Sequence, residues 1–249
     1  MVKYLENERK IAGTTISIYL RCLRAILNRA IKAKLISRDT YPFYDFQISK
    51  IKTTTKKRAI AKELVHKIAE LKFVDTSKTQ FAQHIFLFSY YTRGMNFIDI
   101  AGLTGASIVG DRINYTRSKT KGEFSIKINS KTKEILDFYD ASSKGKTDYL
   151  FPIFDKNVHI TDQQKYNRKK KVLKQVNKEL KDIATLIGLE GLKLTTYVSR
   201  HSYATTLKNG NVPTAQISEA LGHSTEKTTQ TYLKSFDKDV LDEIDERVL

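Results

Sequence analysis

Apolar side chains recur at helical spacing in residues 14–35, TTISIYLRCLRAILNRAIKAKL. This spacing predicts an amphipathic helix with one buried face. The positions expected to face inward are Ile16, Leu20, Leu23, Ile26, Leu27, Ala30 and Ile31. Cys22 lies among these residues, and we expect it to be a small core residue.

Four further helices are predicted over residues 61–71, 79–91, 130–139 and 161–187. The second of these, TQFAQHIFLFSYY, is apolar almost all round, which indicates a helix at the centre of the core. Ser130 is the predicted N-cap of the third, because a serine hydroxyl accepts a hydrogen bond from a free backbone N–H at a helix start.

Polar and apolar residues alternate over 112–117 and again over 124–128, on either side of Lys119-Thr120-Lys121-Gly122. This pattern is typical of a β-hairpin with a basic tip. Taken with the helices, it predicts a fold that is mainly α with a small antiparallel β-sheet, of the α+β class.

The segment from Thr195 to Tyr232 combines three short helices with chemically versatile side chains. Tyr197 and Arg200 are three residues apart in a run without Gly or Pro, so a helix brings them to one face. Asn209-Gly210-Asn211 ends that helix, and Gly222 is a natural C-cap for the next one. His223 follows this cap directly, where its side chain can point into a cleft. An arginine, a histidine and a tyrosine on neighbouring helices can thus converge on one phosphate.

This segment resembles the C-terminal signature of the tyrosine recombinases, the phage integrase family. Three separated elements match in order and spacing: Arg-His-Ser-Tyr-Ala-Thr at residues 200–205, Leu-Gly-His-Ser at 221–224, and Tyr232 nine residues after the histidine. The Arg-Gly-Met at residues 93–95 and the later Phe-Ile-Asp are similar to integrases of Bacteroidetes-type mobile elements. One position differs from the family pattern, because Tyr197 stands where the family usually has histidine.

The resemblance implies a role for each matching residue. Tyr232 would attack a DNA phosphate, Arg93 and Arg200 would hold its oxygens, and His223 would bind the phosphate or assist the proton leaving Tyr232. The lysine between the two strands would act as general acid, with Lys119 as the best match and Lys121 as the alternative. The expected catalytic residues are Arg93, Lys119, Tyr197, Arg200, His223 and Tyr232.

Arg93 also allows a purely structural interpretation, and the acidic residue that follows it has two candidates. An arginine at the end of a buried helix, such as Arg93, either pairs with a carboxylate or binds an anion, and the residues alone do not separate the two. The family places an acidic residue shortly after this arginine to support the active site. Asp99 is the better match, and Asn96 is the alternative.

The net charge of +17 favours a polyanionic partner, and nucleic acid before an anionic membrane surface. The resemblance implies that this partner is double-stranded DNA. The charge is uneven: residues 1–58 contain 14 Lys and Arg against 4 Asp and Glu, and residues 235–249 contain 2 against 6. Basic stripes are commonly only solvated faces, but here a phosphate-contacting role is as well supported. The expected DNA-binding residues are Arg21, Arg24, Lys56, Lys57, Arg58, Lys121, Lys169 and Lys170.

The polar and basic segment at residues 51–58 predicts a linker between two domains. Residues 1–50 would form a partial helical core-binding domain that clamps DNA, and residues 59–249 the catalytic domain. The front part is short for the family, which suggests an N-terminal truncation. The acidic helix predicted at residues 237–249 would pass to a neighbouring protomer in a tetramer on DNA, or dock on its own chain. Accessory DNA-bending proteins are further candidate partners.

Several classes of chemistry have little support in the sequence. A single cysteine excludes an internal disulfide, and the five histidines show no metal-ligand spacing, so we expect no metal and no cofactor. No apolar run has membrane-spanning length, so a cytoplasmic protein is expected. The resemblance implies that it is a bacterial protein associated with the nucleoid. Two alternatives to a recombinase or integrase remain: a type IB topoisomerase-like enzyme, and a non-catalytic DNA-binding protein or decayed integrase fragment.

Overall fold

The computed structural model describes residues 2–51, 59–189, 191, 193–223 and 225–233, without the side chains of residues 231 and 232. The chain divides into two compact units, residues 1–57 and 58–249. The described residues are mostly helical with one small antiparallel sheet, which confirms the predicted α+β class.

The first unit contains helices α1, Val2–Asn7, and α2, Gly13–Lys32. Ile16 and Leu20 of α2 are buried against Ile48, which lies in a short turn after the helix. Two expectations for α2 are wrong, because Ile26 is 64% exposed and Cys22 is exposed as well. The buried residues of α2 all lie in its first half, so the core of this unit covers less of the helix than its apolar stripe suggests.

The second unit contains a three-stranded sheet and the remaining helices. The strands are β1, Ile108–Val109; β2, Arg112–Thr116; and β3, Glu123–Lys127. The helices are α3, Lys62–Glu70; α4, Lys78–Tyr91; α5, Phe97–Gly102; α6, Ser130–Phe138; α7, Asp162–Leu186; α8, Thr196–Asn209; α9, Thr214–Leu221; and α10, Glu226–Tyr232.

Helix α4 is the centre of this unit, as its apolar composition predicts. It packs against α3, α5, α6, α7 and α8. Phe86 and Phe88 are fully buried, and Phe88 packs edge-on against Phe151 with 4.8 Å between ring centroids. A helix surrounded on so many sides has little freedom to shift, so its C-terminal end is a firm support for the residues that follow.

The sheet is antiparallel in the order β1-β2-β3. In the β2–β3 hairpin Tyr115 pairs with Phe124 and Thr116 with Glu123, so the predicted hairpin is correct in both strands. Strand β1 has no counterpart among the predicted elements, because two residues are too few to show an alternating pattern.

Polar side chains satisfy free backbone N–H groups at the starts of helices α6 and α7. Thr161 caps α7 by accepting a hydrogen bond from the Gln164 N–H, and the Gln164 side chain accepts one from the Thr161 N–H. Helix α6 is capped by Asn129, whose side chain accepts a hydrogen bond from the Thr132 N–H at 2.9 Å, so the predicted cap at Ser130 is off by one residue. In the part of the chain that the structure describes, no helix is both long and apolar enough to cross a membrane.

Candidate active site

A strained turn after α4 presents Arg93. Thr92 is fully buried and its hydroxyl donates to the Phe88 carbonyl, while Met95 is 1% exposed. Between these anchors Arg93 is exposed and has φ +58°, a backbone conformation that non-glycine residues rarely adopt. Such strain persists only where the surroundings enforce it, and it is frequent at functional sites.

Gly94 allows helix α8 to approach this turn. A Cβ on Gly94 would lie 2.8 Å from Cγ of Arg200, and its φ of +68° also favours glycine. Arg200 is 3% exposed, and its Nη1 donates to the Gly94 carbonyl at 2.8 Å. Its Nη2 donates to the Leu221 carbonyl at the end of α9. The arginine therefore joins three elements that are far apart in sequence.

A second buried arginine, Arg117, follows the end of β2 and is absent from the residues predicted from sequence. It is 5% exposed, and its Nη1 donates to the carbonyls of Leu221 and Gly222 at 2.9 and 2.5 Å. Its Nε has no hydrogen-bond partner among the described residues. An arginine that holds helix carbonyls beside a strand end leaves no periodic signal. The one sequence signal for it is its position two residues before Lys119.

The loop with His223 follows directly from the carbonyls that these arginines hold. Gly222 caps α9 with φ +62°, and a Cβ there would collide with the ring of Phe124. Nε2 of His223 lies 3.2 Å from Nη2 of Arg200, and Nδ1 lies 2.8 Å from the hydroxyl of Thr229. Burial, reinforced by the neighbouring cations, lowers the pKa of His223 to about 4, so the ring is neutral at pH 7.

The hairpin tip is tied to helix α5 through Asp99. This carboxylate is 5% exposed and accepts a hydrogen bond at 2.8 Å from the backbone N–H of Ser118, the residue before Lys119. Lys119 is exposed and close enough to His223 to lower its pKa. Lys121 is also exposed and has φ +60°. Asn96 is the N-cap residue of α5, and its side chain makes no capping hydrogen bond.

Aromatic residues of the hairpin support the same region. Tyr115 and Phe124 stack with 5.1 Å between ring centroids and 19° between planes. Burial and, to a lesser extent, Asp99 raise the pKa of Tyr115 to about 12, although Arg200, Arg117 and Arg93 oppose the rise. Tyr115 is therefore a neutral phenol beside a cluster of cations.

An open groove of 440 Å³ lies over this cluster. Arg93 and His223 line it, together with the ring of Phe124. Glu123 and Glu219 also contribute to its walls. An anion in the groove would thus meet the exposed Arg93 and the partly buried His223, with the buried Arg200 beside His223.

The two remaining expected residues are Tyr197 and Tyr232. Tyr197 is 39% exposed, and its ring contacts that of His201 edge-on at 4.6 Å, while Arg200 is buried on the same helix. Tyr232 is the last residue of α10, and its side chain is outside the described atoms.

Helix α10 is nevertheless attached to the helices before it. Lys208 Nζ donates to the carbonyl of Leu233, the residue after Tyr232, at 2.6 Å. The Leu233 side chain is 8% exposed and packs in a cluster with Ala204, Ile217 and Leu221. The position of the Tyr232 backbone is therefore set by α8 and α9.

The expected DNA-binding residues are placed at the surface wherever the structure describes them. Arg21, Arg24, Lys121 and Lys170 are exposed, and Lys169 is partly exposed. The ammonium groups of Lys169 and Lys170 lie 5.7 and 5.5 Å from the ring centre of Tyr166. The predicted residues Lys56, Lys57 and Arg58 lie outside the described residues, as does the predicted C-terminal helix at residues 237–249.

The positive charge beside the groove comes from side chains, chiefly the guanidinium groups of Arg93, Arg117 and Arg200. Among the described residues, no group of three or more His, Cys, Asp or Glu side chains is arranged to hold a metal ion.

Comparison with known protein families identifies the family of this chain. The model of the phage integrase family matches residues 41–239, and that of the phage integrase SAM-like domain matches residues 1–65. The chain belongs to the phage integrase family. Curated relatives in this family include the tyrosine recombinase XerD of Bradyrhizobium diazoefficiens, 24% identical over 57% of this chain and 45% of the relative. XerD of Brucella suis is 25% identical over 60% of this chain and 47% of that protein. The matched region thus spans less than half the length of these relatives.

Solved structures of phage integrase family members show the same fold. XerH recombinase bound to its difH substrate after cleavage has a TM-score of 0.69 at 18% identity, covering 96% of this chain and 69% of XerH. A lambda integrase dimer on a COC′ core site has a TM-score of 0.64 at 13% identity, covering 94% and 78%. The Tn1549 transposon integrase with a circular-intermediate DNA has a TM-score of 0.61 at 19% identity, covering 97% and 82%.

Proposed function

We propose that this protein is a site-specific DNA recombinase that cleaves and rejoins DNA through a covalent 3′-phosphotyrosine on Tyr232. The observation that carries the proposal is the groove lined by Arg93 and His223, backed by the buried Arg200. The guanidinium of Arg93 lies at the groove and that of Arg200 lies beside His223. Fixed cations of this kind stabilise a phosphodiester as charge builds up on its non-bridging oxygens.

Each step of the reaction has a residue to perform it. The Tyr232 phenol oxygen forms a bond to phosphorus, and the bond from phosphorus to the 5′ oxygen breaks. Arg93 and Arg200 stabilise the non-bridging oxygens, because a guanidinium remains charged and offers a fork of donors. Lys119 gives a proton to the departing 5′ oxygen, and the phenol loses its own proton to a base. The phosphotyrosine keeps a phosphoester bond, so the strand can be rejoined without ATP.

A free tyrosine has a pKa near ~10 and is a weak nucleophile at neutral pH. Neighbouring cations lower the energy of the phenolate. Arg200, Arg117 and Lys119 all lie close enough to His223 to lower its pKa. His223 in turn contacts Thr229 on α10, the helix that carries Tyr232. Tyr197 cannot supply the charge of a protonated histidine at its position. We therefore expect slower or more tightly controlled cleavage than with histidine there.

Asp99 and Arg117 have supporting roles in this proposal. Asp99 holds the backbone before Lys119 through Ser118, and this contact favours Lys119 over Lys121 and Asp99 over Asn96. Arg117 holds the carbonyls that precede His223. Neither side chain needs to touch DNA to affect cleavage, because each fixes the backbone next to a residue that does.

Double-stranded DNA is the proposed substrate and partner. XerH, lambda integrase and the Tn1549 integrase were each solved with DNA, which supports this assignment. The exposed basic side chains of α2 and α7 would contact the phosphate backbone, where such contacts give affinity without sequence selectivity. Residues 1–50 would clamp the DNA, residues 51–58 would link the two domains, and the acidic C-terminal segment would join protomers in a tetramer. This places the protein on the bacterial nucleoid in the cytoplasm, with accessory DNA-bending proteins as further partners.

The test is a suicide-substrate assay with nicked DNA from the ends of the element that carries this gene. We expect a protein–DNA adduct that survives denaturation and is absent with Tyr232→Phe. An adduct that persists in the variant identifies another nucleophile and overturns the assignment. Absence of any adduct with DNA binding retained favours a non-catalytic DNA-binding protein. Relaxation of supercoiled DNA without a preferred site favours a type IB topoisomerase-like enzyme.

A further inference from the structure

Thr229 links the candidate histidine to the helix that carries the candidate nucleophile. It lies on α10, three residues before Tyr232, and is fully buried. Its hydroxyl is 2.8 Å from Nδ1 of His223. A buried threonine hydroxyl can be satisfied within its own helix, so a side-chain contact to an imidazole on another element is a specific arrangement.

The chemistry of Arg200 determines the direction of this hydrogen bond. A guanidinium can only donate, so Nε2 of His223, which lies 3.2 Å from Nη2 of Arg200, accepts. The single proton of the neutral imidazole then resides on Nδ1, and Nδ1–H donates to the Thr229 hydroxyl oxygen. If the threonine donated instead, the proton on Nε2 would face the N–H groups of Arg200.

We propose that Thr229 is a positioning residue that fixes the ring of His223 in the Nδ1–H tautomer and directs the lone pair of Nε2 toward the Arg200 side of the groove. One consequence rests on the proposed function: His223 begins the reaction with an unprotonated Nε2, as an acceptor of a hydrogen bond or a proton. Of the two roles open to this histidine, accepting the proton that leaves Tyr232 is then favoured over donating to the phosphate.

The electrostatic surroundings agree with a neutral ring. Among the described residues, the charged or titratable groups that shift the pKa of His223 are Arg200 and His201 on α8, Arg117 at the end of β2 and Lys119 on the hairpin tip. All of these lower its pKa, after the larger effect of burial. A hydrogen-bond partner that holds one imidazole nitrogen is the usual means of selecting which nitrogen reacts.

The tautomer can be measured without DNA and without activity. In protein with ¹⁵N-labelled histidine, two-bond proton–nitrogen correlation spectra distinguish Nδ1–H from Nε2–H, and His223→Gln identifies the signal among the five histidines. We expect His223 to be the Nδ1–H tautomer near pH 7. A predominant Nε2–H tautomer in the wild-type protein overturns the inference.

Thr229→Val removes the acceptor, and we expect the ratio of tautomers to move toward Nε2–H by roughly tenfold, because a buried N–H without an acceptor is unfavourable. Thr229→Ser should restore the wild-type spectrum. Thr228→Val is the matched control, since its exposed hydroxyl contacts only the Thr225 hydroxyl among the described atoms. If Thr229→Val does not fold, Thr229→Ala removes the same acceptor with less bulk. An unchanged tautomer in the folded variant overturns the role of Thr229.

The consequence for cleavage is tested separately. In a single-turnover assay, Thr229→Val should cleave at least about tenfold more slowly with unchanged affinity for DNA, and Thr229→Ser should recover the rate. A variant with an altered tautomer but a normal cleavage rate refutes the acceptor role. A correct tautomer in a protein that forms no adduct leaves Thr229 as the positioning residue and refutes the proposed function alone.

Discussion

Gly94 and Arg200 pack so closely that no side chain fits between them. A Cβ on Gly94 would stand 2.8 Å from Cγ and 3.1 Å from Cα of Arg200, while the Gly94 carbonyl accepts a hydrogen bond from the guanidinium. The turn that presents Arg93 and the helix that carries Arg200 are thereby held at a fixed distance. A phosphate bound by both arginines depends on that distance.

Gly94→Ala should therefore displace Arg200 as well as strain the backbone. We expect a loss of roughly 1–3 kcal/mol in the free energy of unfolding and a larger relative loss of cleavage. Gly110→Ala is the matched control, because Gly110 also has positive φ, +59°, but nothing lies within 4 Å of the place that a Cβ would occupy there. Denaturant unfolding and single-turnover cleavage are measured on both. Equal effects of the two substitutions would contradict the importance of the Gly94–Arg200 contact.

Arg117→Ala should impair cleavage more than DNA binding. It removes a donor to the Leu221 and Gly222 carbonyls; Leu221 keeps the hydrogen bond from Arg200, but Gly222 loses the one from Arg117, and an unsatisfied acceptor costs about 1–3 kcal/mol of stability. Arg112→Ala serves as the control on the same hairpin, because Arg112 makes two hydrogen bonds to Ser125 instead. Cleavage rates and dissociation constants are compared. A loss of DNA affinity in Arg117→Ala as large as its loss of cleavage would contradict this positioning role.

Lys119→Ala should slow cleavage of ordinary DNA by about 10²–10⁴-fold, as expected for loss of a general acid. A substrate with sulfur in place of the bridging 5′ oxygen has a leaving group that needs no proton, so the variant should recover most of the wild-type rate on it. Lys121→Ala provides the comparison, since both lysines are exposed on one hairpin. Rescue of Lys121→Ala and not of Lys119→Ala would reverse the assignment.

Acidification should destabilise the wild-type protein more than His223→Gln. The pKa of His223 is lowered from 6.5 to about 4, so between these values the unfolded chain binds a proton that the folded chain does not. The stability from this histidine is complete above about pH 6.5 and is lost as the pH falls toward 4. Denaturant midpoints at pH 7 and pH 5 should therefore differ less in His223→Gln. His66→Gln, at an exposed position, should behave as wild type.

The sequence by itself determined the helices with strong periodicity and the residues with a fixed motif spacing. The apolar run of α4 had to be buried whatever the topology, because exposing it on every side would cost too much free energy. Gly222 was predictable as a C-cap since a helix end with positive φ favours glycine, and the structure gives it φ +62°. Arg93, Lys119, Arg200 and His223 were predicted from order and spacing, through the resemblance to the tyrosine recombinases.

Only the tertiary structure decided which of these side chains meet, and through which partners. Arg117, Thr229 and the Asp99–Ser118 contact join separate elements of the fold, and no periodicity records such pairings. Tyr197 and Arg200 lie three residues apart on one helix, and the structure shows that Tyr197 is 39% exposed and Arg200 only 3%. A helix surface spans a wide arc, and the close approach permitted by Gly94 determines which part of that arc is buried.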